Sequence, residues 1–153
     1  MIRNFYIFIL VSVLLSCSVK PANNAIPYSR EELKSRTFNY FWKLADSTNF
    51  QIPDRYPTLT FSSIAATGFG LSAYITGIEN KYISRQEGRD RVKKTLQILW
   101  DLPQGPESSG ISGHKGFFYH FLNLKDAKRY KTIELSSIDT GLLMAGVLSC
   151  MSY

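Results

Sequence analysis

Residues 62–77, SSIAATGFGLSAYITG, hold no charged side chain and are small or apolar at nearly every position. Ile64, Ala65, Ala66, Phe69, Leu71, Ala73, Tyr74 and Ile75 leave the stretch no polar face. A helix apolar all round is buried all round, so this stretch predicts an inner helix. Gly68 and Gly70 would each cost about 1 kcal/mol against Ala in an exposed helix. They point instead to close packing against neighbouring backbones. Ser62 or Ser63 fits the cap of this helix. A nucleophile reading fails, because nothing like Gly-x-Ser-x-Gly surrounds the two serines.

Working outward, the flanking helices have a different character. Before the inner stretch, Ser29 and Glu32 offer a capping box, and Leu33, Thr37, Tyr40, Phe41, Leu44 and Ala45 recur at three- and four-residue spacing. That pattern predicts a one-sided helix over 30–46. Pro53 and Pro57 then forbid helix through the segment 46–60. After a short link over 78–83, Ser84 and Glu87 form a second capping box, and a helix runs to Trp100 with an apolar stripe of Val92, Thr95, Leu96, Leu99 and Trp100. Arg85, Arg89, Arg91, Lys93 and Lys94 are read as its solvated side. A nucleic-acid surface would want them interleaved with aromatics or glycines, so no nucleic-acid partner is expected. A fourth helix, which Ser136 or Ser137 can cap, begins near Ile138 and is again almost wholly apolar, with Leu142, Leu143, Met144, Ala145, Val147 and Leu148; Cys150 in it reads as a small buried hydrophobe. It reaches Tyr153 with no Gly, Asn or Pro stop, so the chain reads as cut off there.

The order is thus outer, inner, outer, inner. If successive helices are antiparallel, both long connections lie at one end and the short one at the other. Long loops usually carry function. Asp54, His114, His120, Glu134 and Asp139 would then gather on one rim.

Residues 110–140, GISGHKGFFYHFLNLKDAKRYKTIELSSIDT, are too mixed for a core. Alternation in Phe117, Tyr119 and Phe121, and in Tyr130, Thr132 and Glu134, predicts a small hairpin through the turn 124–128. Carboxylates amid Tyr, Phe and Trp suit sugar chemistry, in which rings stack on pyranose faces and carboxyl groups serve as acid and base. Asp54, Glu134 and Asp139 are the available carboxylates. Asp54 and Arg55 also read as a local ion pair, and Asp139 as an acid favoured by the helix dipole. Glu134 has no cationic partner at helical spacing. His114 and His120 are six apart without a third ligand, so neither a metal nor any cofactor is expected. His120 fits as a donor to substrate or to a cleft carboxylate.

Four motifs in order, Ile52-Pro53-Asp54-Arg55-Tyr56-Pro57, Phe61 to Phe69, Gly116-Phe117-Phe118-Tyr119-His120-Phe121 and Glu134-Leu135-Ser136-Ser137-Ile138-Asp139-Thr140, resemble the N-terminal part of the glycoamylase-like family. This family includes bacterial endo-β-1,2-glucanases and related β-glucan hydrolases. The resemblance spans about residues 30–152 and implies an all-α architecture, an incomplete (α/α)6 toroid of about four helices with a small β-hairpin between the third and fourth. It also implies an inverting glycoside hydrolase acting on β-glucan. Glu134 and Asp139 match carboxylates near the sugar or the attacking water, and Asp54, Arg55, Tyr56, His114, Tyr119 and His120 are read as substrate contacts. The family's acid glutamate lies beyond this chain. Twelve helices of about 11 to 12 residues plus loops need more than about 200 residues, so the chain is expected to be inactive alone.

A chain of 153 residues with 44% apolar and 20% charged content is that of a folded domain. The first residues stand apart. Arg3 precedes an apolar run from Phe5 to Leu15, too short to span a bilayer. Leu14-Leu15-Ser16-Cys17 resembles a bacterial lipobox, which implies lipidation of Cys17. The organisation expected is a signal peptide over 1–16, a tether over 17–28 and the truncated barrel domain over 29–153. That makes the product an exported lipoprotein, periplasmic or at the outer membrane or cell surface, with β-glucan and the membrane as partners and a monomeric full-length form. An ordinary cleaved signal with a chance cysteine is the alternative. Lipidation at Cys17 would leave Cys150 without a disulfide partner. Two other readings of the whole stand beside the enzyme fragment: a surface glycan-binding lipoprotein without catalysis, and a gene fragment whose product does not fold.

Overall fold

The computed structural model describes residues 27–153; the signal-peptide and lipidation expectations, with Cys17, lie outside the described residues. Four helices are present among the described residues, α1 (Arg30–Lys43), α2 (Ile64–Glu79), α3 (Arg85–Asp101) and α4 (Ser137–Ser152). Between them lie four short strands, β1 (Phe61–Ser63), β2 (Gly113–His114), β3 (Phe117–Phe118) and β4 (Phe121–Asn123). Each helix starts at a serine whose hydroxyl accepts an otherwise unpaired backbone N–H: Ser29, Ser63, Ser84 and Ser136. Ser84 and Glu87 complete a reciprocal box, whereas at Ser29 the carboxylate of Glu32 turns to Arg36, 2.9 Å away. Helix α1 stops at Lys43, short of the expected 46. Asp46 explains this, because its carboxylate accepts from the backbone of Thr48 and Asn49 and builds a turn of its own.

Helix α2 is the hub. A Cβ on Gly68 would stand 2.5 Å from the Leu142 carbonyl oxygen and 2.6 Å from Leu143 Cα, and one on Gly146 would stand 2.2 Å from the Gly68 carbonyl. Two backbones therefore touch across the α2–α4 crossing. Gly70 faces the Ile52 side chain instead of a backbone. On the α1 side, Phe38 and Tyr74 are buried, Trp42 packs edge-on to Tyr74, and Arg91 of α3 lies 4.2 Å over the Trp42 ring. Cys150 is half-buried and donates to the Leu71 carbonyl at 3.4 Å; burial pushes its thiol pKa up.

Three burial expectations are corrected. Helix α2 buries Ile64, Leu71 and Tyr74 but leaves Phe69 54% exposed, so it is not buried all round. Helix α4 buries Thr140, Leu143 and Gly146 against its neighbours, but Ile138, Leu148 and Met151 on its other side are exposed. Nothing among the described residues packs on that face. In α3 the inward line runs through Gly88, Thr95 and Leu99, and the next residue along turns about 100° away. Trp100 is therefore 86% exposed rather than part of the stripe. Among the described residues, no helix is long and apolar enough to cross a membrane.

A hairpin does lie between α3 and α4, but it is earlier and tighter than the alternation predicts. Strands β2 and β3 pair antiparallel, His114 opposite Phe117, around Lys115 and Gly116, both with positive φ (50° and 84°). That is the two-residue turn whose twist suits a hairpin. Strand β4 finds its ladder partner in β1, with Ser62 opposite Leu122. The segment expected as the second strand meets β4 by a single bridge, Leu122 to Arg129, and meets the residues before β4 by another, Tyr119 to Leu135.

The long connections converge. Asn49 Nδ2, between α1 and α2, donates to the carbonyls of Leu124 and Lys125, between α3 and α4, at 2.8 and 3.0 Å. Asp54 N bonds to Phe61 O and Leu124 N to Thr60 O, so both connections share one end of the helix stack.

Candidate active site

The backbone of His120 is fixed on both sides at this end. Its carbonyl accepts from Ile64 N at 3.2 Å, where α2 begins, and its N–H donates to the Glu134 carbonyl at 3.1 Å. The imidazole, tilted against the Phe121 ring at 3.8 Å between centroids, then stands between two carboxylates. Its Nδ1 lies 2.9 Å from Glu134 Oε1 and its Nε2 lies 3.6 Å from Asp139 Oδ1. The first is a hydrogen bond; the second is an ion-pair distance.

The two acids occupy different surroundings. Asp139 exposes 15% of its side chain and Glu134 exposes 65%. Asp139 stands in the first turn of α4, where the helix dipole favours a negative charge. Ser136 Oγ donates to its carboxylate and accepts from its backbone N–H. Thr140 ties this cap to the hairpin, donating to the Ser136 carbonyl at 2.6 Å while accepting from Phe118 N at 3.0 Å. Glu134 is held below the ordinary carboxylate range, first by its own backbone amide and then by the His120 hydrogen bond. A general acid needs the opposite shift, so Glu134 is suited to accepting hydrogen bonds from hydroxyls or water.

The remaining predicted residues divide. Asp54 and Arg55 form an ion pair at 2.7 Å, and Arg55 lies 5.3 Å over the Phe61 ring. Phe61 in turn packs on Phe121 and Tyr130, at 4.8 and 4.9 Å, which places this pair at the same end as His120. Tyr56 is 68% exposed beside it. Tyr119 is buried with Arg129 lying 4.3 Å over its ring, so its face is occupied from within. His114 sits on β2 with its Nδ1 buried and unpartnered, and no hydrogen bond or ion pair joins it to the His120 cluster among the described residues. Two features escaped the sequence reading: Ser136 as a carboxylate partner, and Phe61, Phe121 and Tyr130 as a ring cluster. The first had a signal in the Ser-x-x-Asp spacing. The second depends on β1 meeting β4 across the chain.

No family model matches the chain. An exo β-1,2-glucooligosaccharide sophorohydrolase (non-reducing end) of Parabacteroides distasonis is 28% identical over 134 residues, covering 83% of this chain and 18% of that protein. The crystal structure of a Bacteroides uniformis protein assigned as a glucoamylase superposes with TM-score 0.64 at 25% identity, over 79% of this chain and 30% of that one. A β-1,2-glucanase from Parabacteroides distasonis superposes with TM-score 0.63 at 24% identity, over 80% of this chain and 18% of that one, a likeness of fold. The chain thus spans under a third of the length of each of these proteins. Its four helices and small hairpin are those of a partial (α/α) toroid, and the chain is similar to glucoamylase-like glycoside hydrolases.

Proposed function

We propose, from this likeness to glucoamylase-like glycoside hydrolases, that the chain is an N-terminal portion of an inverting hydrolase of β-1,2-linked glucan. The observation that carries the reading is the pairing of Glu134 and Asp139 through His120, at the end where both long connections meet. In the proposed reaction the ionised Glu134 and the helix-start Asp139 hold sugar hydroxyls or the attacking water. A carboxylic acid outside these residues protonates the leaving oxygen, and inversion follows when water attacks from the face opposite that oxygen. The described residues alone then bind glucan without cleaving it. The Parabacteroides relative's name supports the β-1,2 linkage.

The test is to supply β-1,2-glucooligosaccharides to the longer hydrolase that contains this chain and to read the first-formed anomer by NMR. The reading expects the α-anomer. A β-anomer removes the inverting mechanism, and binding without turnover turns the protein into a glycan-binding module. Anchoring is proposed through Cys17 on an exported product. Radiolabelled palmitate should enter the wild-type chain and not Cys17→Ser; equal labelling of both contradicts the anchor.

A further inference from the structure

We infer that Ser136, Asp139, His120 and Glu134 form one positioning relay, in which the cap of α4 sets the direction of the Glu134 carboxylate through the imidazole. The inference rests on the reading of this rim as a sugar site and adds to it the means by which its most exposed acid is aimed.

The contacts, two hydrogen bonds and one ion-pair approach, run in one line. Ser136 Oγ donates to one oxygen of Asp139, Oδ2, and the other, Oδ1, faces His120 Nε2 at 3.6 Å. On the far side of the ring, Nδ1 meets Glu134 Oε1 at 2.9 Å. The members are held from separate parts of the fold. Ser136 and Asp139 belong to the start of α4, His120 is pinned through its backbone to the start of α2, and the Glu134 carbonyl is held by His120 N. The imidazole cannot swing freely, because Phe121 lies against its face.

Both ring nitrogens therefore face protein carboxylates, the second of the two partners that the sequence left open for His120, and it acts through them as a positioning residue. Glu134 gains most. At 65% exposure its carboxylate would otherwise sample several rotamers, and a ligand that had to order the side chain would bind against that lost rotamer freedom. The relay makes that ordering part of the folded chain, so that Glu134 meets a hydroxyl already aimed.

The test needs no ligand, which separates it from the test of function. In the full chain, the ¹⁵N resonances of the His120 ring and the ¹³C resonance of the Glu134 carboxyl are recorded for wild type, Ser136→Ala, Asp139→Asn, His120→Asn and His120→Ala, with the amides of Tyr74 and Thr95 as a check on folding. The relay predicts that Asp139→Asn shifts His120 Nε2, Nδ1 and the Glu134 carboxyl together. Ser136→Ala should do the same to a smaller extent, although its hydroxyl touches neither the ring nor Glu134. His120→Asn, whose amide can take the place of Nδ1, should keep the Glu134 signal near wild type, while His120→Ala moves it. Unchanged Glu134 and Nδ1 signals in Asp139→Asn overturn the inference, as does a His120→Asn carboxyl displaced as far as that of His120→Ala. A relay that passes while β-1,2-glucooligosaccharides fail to bind would overturn the functional reading alone.

Discussion

Glu134 and Asp139 flank one imidazole yet differ in exposure more than fourfold, 65% against 15%, and that difference assigns them different work. Under the proposed function the exposed acid meets the ligand first, and the sheltered one, besides facing the ligand, fixes the ring and the helix start. Within the proposed longer hydrolase, Glu134→Gln and Asp139→Asn should each lower hydrolysis at least about tenfold, since a positioned acid–base group is typically worth 10² or more. Rates near wild type in both would remove them from the site. The folded-state pKa of Glu134 is depressed by its own amide and by His120. Its contribution to stability is therefore present above the unfolded glutamate value, about 4.3, and is lost as the pH falls through the lower folded value. Urea midpoints measured across that window should fall less in Glu134→Gln than in wild type; parallel curves would contradict the assignment. Ser136 could be read from sequence only as a cap, because a cap and a carboxylate partner share the same Ser-x-x-Asp spacing. Tyr119 shows the converse. Its aromatic character suggested stacking on sugar, but Arg129 covers its ring, a contact across ten positions that no local pattern encodes.

Among elements, the crossing of α2 and α4 depends on the absence of side chains. Gly68→Ala would place a methyl 2.5 Å from a carbonyl of α4, which cannot yield as a side-chain tip can. A loss of about 1–3 kcal/mol is expected despite alanine's better helix propensity. At Gly141 in the same helix, a Cβ would meet nothing within 4 Å. Gly141→Ala should therefore raise stability by about 0.5–1 kcal/mol. Urea unfolding of the two variants checks both, and equal effects would show that the crossing is looser than described. The helices were legible because caps and periodicity are local: all four start within a residue or two of the serines that announce them. The strands were not. Strand β4 pairs with residues about sixty positions earlier, and a ladder formed at that distance leaves no trace in the alternation of either segment.

For the molecule as a whole, the charge-free helices pack on one another, yet neither is buried all round as its composition predicts. Phe69, Leu148, Met151 and Trp100 remain exposed. Apolar composition says that a surface seeks cover; it does not say which chain segment supplies it. A solvatochromic dye should accordingly brighten on the folded chain, and quenching by Leu148→Lys with Met151→Lys would locate the patch; equal brightness in the variant would place it elsewhere. The alternation of long and short connections was legible from lengths alone, and the Asn49 bonds to Leu124 and Lys125 bring the long ones together. That convergence is the central claim, and amide chemical-shift mapping of the chain with a β-1,2-glucotriose tests it most directly. The predicted result is a set of perturbations confined to Phe61, His120, Glu134, Asp139 and their neighbours at one end; perturbations centred on Arg85 and Tyr153, at the other end of the stack, would contradict it.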